Sequence, residues 1–154
     1  MALAIVELKA GDDLEAATRL FDQYRQFYQQ PSDPAAARAY LTLRLAARQS
    51  AVYLALSDGV AVGFMQMYPG FCSLALAPIW TLFDLYVAPA HRGSGVASAL
   101  LRHARTVGQA SGAAYLQLST ARDNHTAQAL YERHGWQLDR VFLTYTLPLD
   151  GGES

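Results

Sequence analysis

Asp84-Leu85-Tyr86-Val87-Ala88-Pro89-Ala90-His91-Arg92-Gly93-Ser94-Gly95-Val96-Ala97 passes from strand to helix across a glycine-rich turn. The apolar run Trp80 to Val87 predicts a strand, and Pro89 stops it. Helical periodicity follows from about Gly95 to Ala110, with Gly112 just beyond as a C-terminal signal. Gly93 and Gly95 let backbone approach a ligand with no Cβ in the way. The first N–H groups of a helix have no partner inside it, and together with the helix dipole they favour an anion such as a pyrophosphate. Arg92 adds a cationic donor. The alternative is a glycine turn that merely opens a helix, and Gly-x-Gly alone does not choose between the two. No Gly-Lys-Ser/Thr follows, so the turn is not a P-loop, and a dinucleotide fingerprint would need a third glycine.

Outward from this turn the pattern mixes strands and helices on both sides. Ala4–Leu8 reads as a strand, and Leu14 to Tyr28 as a helix started near Asp12 or Asp13 and ended by Pro31. Asp33-Pro34 opens a second helix that closes at Gln49-Ser50. Val52–Leu56 and Ala61–Tyr68 form a hairpin about Ser57-Asp58-Gly59, with Pro69-Gly70 breaking the second strand. After the helix that follows the glycine turn come a strand over 114–119, a short helix from Thr126 to His134, and two strands over 136–138 and 142–147. The crossover helix makes the Trp80 and Ala114 strands parallel.

The bulk composition narrows the function classes. A chain of 154 residues, 52% hydrophobic and 16% charged, suits one globular domain. Net charge is −1, which gives no basic field for nucleic acid or an acidic membrane. No apolar stretch reaches the ~18 residues a membrane span needs, and Met1–Glu7 lacks the basic start of a signal peptide. A cytoplasmic location is therefore expected. Cys72 is the single cysteine, which excludes an internal disulfide and a cysteine-based zinc site; no metal is expected. Lys9 is the only lysine among many arginines and alanines, which suggests a GC-rich bacterial source.

Two motifs carry a family resemblance. Arg92, Gly95 and Ala97 occupy the defining positions of the Arg/Gln-x-x-Gly-x-Gly/Ala motif of the GNAT N-acetyltransferases, after a strand ending in Val-x-Pro. Asn124-His125-Thr126-Ala127-Gln128-Ala129-Leu130-Tyr131-Glu132-Arg133-His134-Gly135-Trp136 resembles that family's second motif, with Trp136 replacing a phenylalanine. The segment 123–131 looks closest to a yeast histone and polyamine acetyltransferase branch and its bacterial relatives. The resemblance implies an α/β GNAT fold over 1–149: a mixed sheet of about seven strands, mostly antiparallel with a central parallel pair, flanked by about four helices. Residues 150–154 are expected to be a polar tail. It also implies an acetyl-CoA-dependent enzyme acting on a primary amine, such as a polyamine or an amino-acid-like molecule. A protein lysine or N-terminal acetyltransferase, and a CoA-binding sensor without turnover, stand as alternatives. A homodimer is implied, with the late strands near its interface.

The site residues follow from the same resemblance. Arg92, Gly93, Ser94, Gly95, Val96 and Ala97 would hold the pyrophosphate of acetyl-CoA. The strand end Leu85-Tyr86-Val87 would carry a bulge that turns a backbone N–H toward the thioester, with the pantetheine arm pairing like an added strand. Asn124 would bind that arm, or simply cap its helix. Tyr131 would bind near the sulfur and act as general acid, or pack as a core tyrosine. An alkylammonium, with a pKa near ~10, must lose a proton before attack. Asp84 is the candidate general base, or else a structural carboxylate; in a regular strand it faces away from Phe83 and Leu85. His125 is an auxiliary candidate base, His91 reads as structural, and His103 and His134 read as helix-surface residues. Tyr24, Phe27, Tyr28 and Trp80 are candidate walls of the acceptor site or else ordinary core packing, and Asp22, Asp33 and Asp84 are candidate attractors for a cation or else ordinary surface carboxylates.

Overall fold

The computed structural model describes residues 2–150. They fall into two compact units, one ending at Ala121 and one beginning at Arg122. In the first unit the Asp58-Gly59 loop joins β2 (Ala51–Ser57) to β3 (Val60–Cys72). Both loop residues have positive φ, 50° and 83°, the twist a two-residue hairpin needs. β1 (Leu3–Leu8) pairs antiparallel with the other edge of β2, and β4 (Ala77–Val87) pairs antiparallel with β3. Pro69-Gly70 does not end β3, which runs on to Cys72 opposite β4. β5 (Leu116–Gln117) is parallel to β4, so the strand order is β1-β2-β3-β4-β5.

The helices cover both faces. α1 (Glu15–Phe27) and α2 (Pro34–Ala46) pack Leu20, Phe21, Leu41 and Leu45 onto Val52, Leu54 and Phe64. Asp33 caps α2 through a bond from the Ala36 N–H at 3.1 Å, with Pro34 in the first turn. α3 (Val96–Ala110) places Val96, Leu100 and Ala104 at helical spacing in the core. A Cβ on Gly63 of β3 would lie 2.8 Å from Val96 Cγ1 and 3.2 Å from Leu100 Cδ1, so this glycine sets how closely α3 seats on the sheet. β2 is therefore buried on both faces.

The second unit holds α4 (His125–Arg133), which ends where Gly135 takes φ 87°. The two strands expected over 136–138 and 142–147 are absent among the described residues, so the sheet has five strands rather than seven. Its parallel pair lies at the edge, not the centre. A strand exists through its ladder, and these segments have none. Leu138, Phe142, Leu143, Tyr145 and Leu147 stand exposed. Turn chemistry is nonetheless present between them: Asp139 Oδ1 accepts the N–H groups of Val141 and Phe142, which holds its carboxyl below the usual range. Of the tail expected over 150–154, all but Asp150 lies outside the described residues.

Candidate active site

A bulge in β4 builds the site. Gln66 pairs with Asp84 while Met67 pairs with Leu82, so Phe83 is an extra residue in the strand. In a regular strand Leu82 and Asp84 would share a face. The extra residue separates them. Leu82 stands beside Met67, and Asp84 stands beside Gln66 on the face covered by α1. The bulge thus falls just before Asp84, not at Leu85–Val87, which pair regularly with β3.

Asp84 is 4% exposed. Gln66, fully buried, donates from Nε2 to Asp84 Oδ2 at 2.7 Å. The Tyr24 hydroxyl from α1 bonds the Phe83 carbonyl at 3.1 Å, and its side chain also hydrogen-bonds Asp84. Burial pushes the Asp84 carboxyl above its ordinary value, and the two hydrogen bonds offset part of that rise. Gln66 Oε1 is buried with no hydrogen-bond partner among the described residues. A buried carboxyl with a raised proton affinity and an amide acceptor beside it has the chemistry to exchange a proton, and its two hydrogen bonds also let it serve as a structural partner.

Asp84 and Phe83 open onto a cavity of about 580 Å³. Its walls include Tyr24 of α1, Tyr28 at the C-cap of that helix, Tyr40 of α2 and Tyr68 of β3. The Tyr40 and Tyr68 hydroxyls are 2.7 Å apart, and burial with this bond raises Tyr68 above the usual tyrosine range. Of the wall residues expected from sequence, Tyr24 and Tyr28 line the cavity. Trp80 does not: its Nε1 donates to Ser111 Oγ, at 2.9 Å. Phe27 lies beneath the Arg92 guanidinium instead. Asp22 is spent in the α1–α2 connection, accepting from Ser32 Oγ at 2.7 Å and the Asp33 N–H at 2.8 Å, and Asp33 is spent as a cap. Gln66, Tyr40, Tyr68 and Arg25 were missed. Gln66 alone had a signal: an amide inside an otherwise apolar strand, which needs a buried partner.

From Asp84 the strand leads to the glycine turn. Gly93 and Gly95 take φ 78° and 87°, and no atom lies within 4 Å of where their Cβ atoms would stand. Gly95 caps α3 with no side-chain bond, so the Val96 and Ala97 N–H groups receive no cap from it. Ser94 Oγ bonds back to the His91 carbonyl. Arg92 is folded onto the strand end: Nε donates to the Val87 carbonyl at 3.0 Å, and the guanidinium lies over Tyr86 at 5.4 Å. The β4–β5 ladder covers only Trp80 and Thr81, so from Leu82 to Val87 the sheet pairs β4 on the β3 side alone. An uncapped helix start, a turn without Cβ atoms and an open strand edge fit a pyrophosphate and an extended amide-bearing arm.

The second unit carries the other two candidates. Asn124 caps α4, accepting the Ala127 N–H at 3.1 Å. Tyr131 packs its ring 6.2 Å from that of Trp136. His103 packs 4.7 Å from the Tyr53 ring, half-buried rather than on the helix surface, and His134 is the C-cap of α4. Cys72 is the last residue of β3, and a hydrogen bond with Tyr115 lowers its thiol. Among the described residues there is no cluster of metal-ligating side chains, and no helix is long and apolar enough to cross a membrane.

Comparison with known proteins agrees with this geometry. The sequence profile of the acetyltransferase (GNAT) family matches residues 14–136. The chain is 39% identical over 135 residues to the uncharacterized N-acetyltransferase YhfO of Bacillus subtilis, covering 88% of this chain and 91% of that one. The crystal structure of a probable acetyltransferase superposes with a TM-score of 0.91 at 39% identity, covering 97% and 99% of the two chains. The fold is shared with the aminoglycoside N-acetyltransferase AAC(6')-Iy in complex with CoA, at a TM-score of 0.79, 22% identity and 96% of each chain. None of these comparisons singles out the yeast histone and polyamine branch. The chain is an acetyltransferase and belongs to the GNAT family.

Proposed function

We propose that the protein transfers the acetyl group of acetyl-CoA directly to the primary amine of a small molecule bound in the tyrosine-walled cavity, with Asp84 as the general base. The observation that carries this reading is the buried Asp84 carboxyl facing that cavity, on the strand that runs into the glycine turn. GNAT acetyltransferases use acetyl-CoA, which supplies an activated thioester. In this chain Arg92, Gly93, Ser94, Gly95, Val96 and Ala97 hold the pyrophosphate, chiefly through the helix-start N–H groups. The edge of β4 at Leu85, Tyr86 and Val87 receives the pantetheine arm.

Asp84 takes a proton from the ammonium, directly or through water, and Gln66 and Tyr24 keep the carboxylate in place. The C–N bond forms as the C–S bond breaks. Of the two protons the nitrogen loses, one leaves through Asp84 to solvent and one ends on the CoA sulfur. Tyr131 delivers that second proton, and Asn124 binds the arm. These two assignments rest on the second motif.

The same reading includes a homodimer. Its support is the segment over 138–149, where Leu138, Phe142, Leu143, Tyr145 and Leu147 stand exposed. The test of function is a thiol-release screen with acetyl-CoA against amino acids, polyamines, aminoglycosides and lysine peptides. Release with a small amine is expected. Release with lysine peptides alone would move the reading to a protein acetyltransferase, and tight binding of acetyl-CoA with no acceptor at all would move it to a sensor.

A further inference from the structure

The cavity holds a second kind of charge that acetyl transfer does not require. Arg25 lines it, half-buried, and its guanidinium makes no hydrogen bond or ion pair among the described residues. Arg44 stands 5.0 Å over the Tyr40 ring, with its Nε buried and unpartnered. Against these stands a single lining carboxylate, Asp84, because Asp22 and Asp33 are spent in the α1–α2 connection. The Tyr40–Tyr68 pair uses one of its two hydroxyl protons internally, which leaves one O–H as a donor toward the cavity.

This inventory argues against a polycation. A polyamine or aminoglycoside would bring several positive charges to one carboxylate and an unpaired guanidinium, and like charges in a partly dry site repel. A neutral alcohol or a simple alkylamine would leave Arg25 uncompensated. A molecule with one ammonium and one carboxylate satisfies both ends, and a guanidinium with a nearby hydroxyl donor suits a carboxylate well. The aromatic walls between them suit an apolar body.

We infer that the acceptor is a small zwitterion, an amino acid or close analogue with an apolar or aromatic body, whose ammonium meets Asp84 and whose carboxylate meets Arg25 and the Tyr40–Tyr68 hydroxyls. The inference rests on the cavity being the acceptor site. Arg25 is then a specificity residue that touches substrate, while Asp84 is the catalytic one. The nitrogen exchanges two protons for the acetyl carbon as above, and the substrate carboxylate is unchanged.

The experiment uses matched pairs: phenylalanine with phenethylamine, leucine with isopentylamine, and spermidine as the polycation. Each is titrated by calorimetry into the CoA-loaded protein and assayed for thiol release with acetyl-CoA, for wild type, Arg25→Gln and Arg25→Lys. Within at least one pair the amino acid is expected to bind at least about tenfold more tightly than its decarboxylated partner. Arg25→Gln should erase that preference, and Arg25→Lys should restore part of it. Preference for the amines or for spermidine, a preference unaffected by Arg25→Gln, or no binding of either zwitterion overturns the inference. Arg25-dependent zwitterion binding without thiol release sustains it and instead defeats the transfer reading.

Discussion

At the residue scale the account turns on one acid held where water is scarce. Burial raises the Asp84 carboxyl, so between its unfolded value and its folded value the native state holds a proton that the unfolded chain has lost. Stability therefore falls as pH rises through that window and stays lowered above it. Asp84→Asn removes the penalty. Its melting temperature should exceed that of wild type at pH 7, with the gain shrinking as pH approaches ~4, and scanning calorimetry at both pH values checks this. Gln66 acts on the same group with the opposite sign, since its N–H stabilises the charged carboxylate. Gln66→Leu should move the acidic limb of kcat/KM upward by roughly one to two pH units, the size of a hydrogen bond to a charged group worth about 1.5–3 kcal/mol. An unmoved limb would mean that Gln66 does not tune the base.

At the element scale two glycines separate crowding from strain. Gly63→Ala forces a methyl to within 2.8 Å of Val96 beneath α3, with ordinary backbone angles. It should cost about 1–3 kcal/mol. Gly95→Ala meets no neighbour within 4 Å but must hold φ 87°, which costs roughly 1–2 kcal/mol. Chemical denaturation of both variants measures the difference, and acetyl-CoA affinity should fall in Gly95→Ala alone. The order β-α-α-β-β-β-α-β-α was legible because the Asp58-Gly59 loop, Asp33-Pro34, Pro89 and Gly135 each punctuate locally. The parallel β4–β5 pair was legible from the crossover helix. The bulge at Phe83 was not, because an inserted residue changes register without changing local composition. Neither were the cavity residues Arg25, Tyr40 and Tyr68, which three separate elements bring together. The last two strands failed for another reason: alternation shows that a segment suits a ladder, but not that a partner is present.

At the scale of the whole molecule the exposed segment over 138–149 predicts association. Light scattering should give about twice the chain mass of 16.8 kDa, and paired Phe142→Ser and Leu143→Ser substitutions should lower it toward one chain. A monomer in the wild type would remove the dimer from the account. Family membership implies acetyl-CoA as the donor, and the cavity on the α1 face of β4 is the proposed acceptor site. Comparing Asp84→Asn with wild type, for acetyl-CoA binding and for thiol release with the best amine at pH 7, tests that assignment most directly. Acetyl-CoA affinity should stay within about twofold and kcat/KM should fall by about a hundredfold or more, the scale of a lost general base; transfer at the wild-type rate by Asp84→Asn would remove Asp84 from the chemistry.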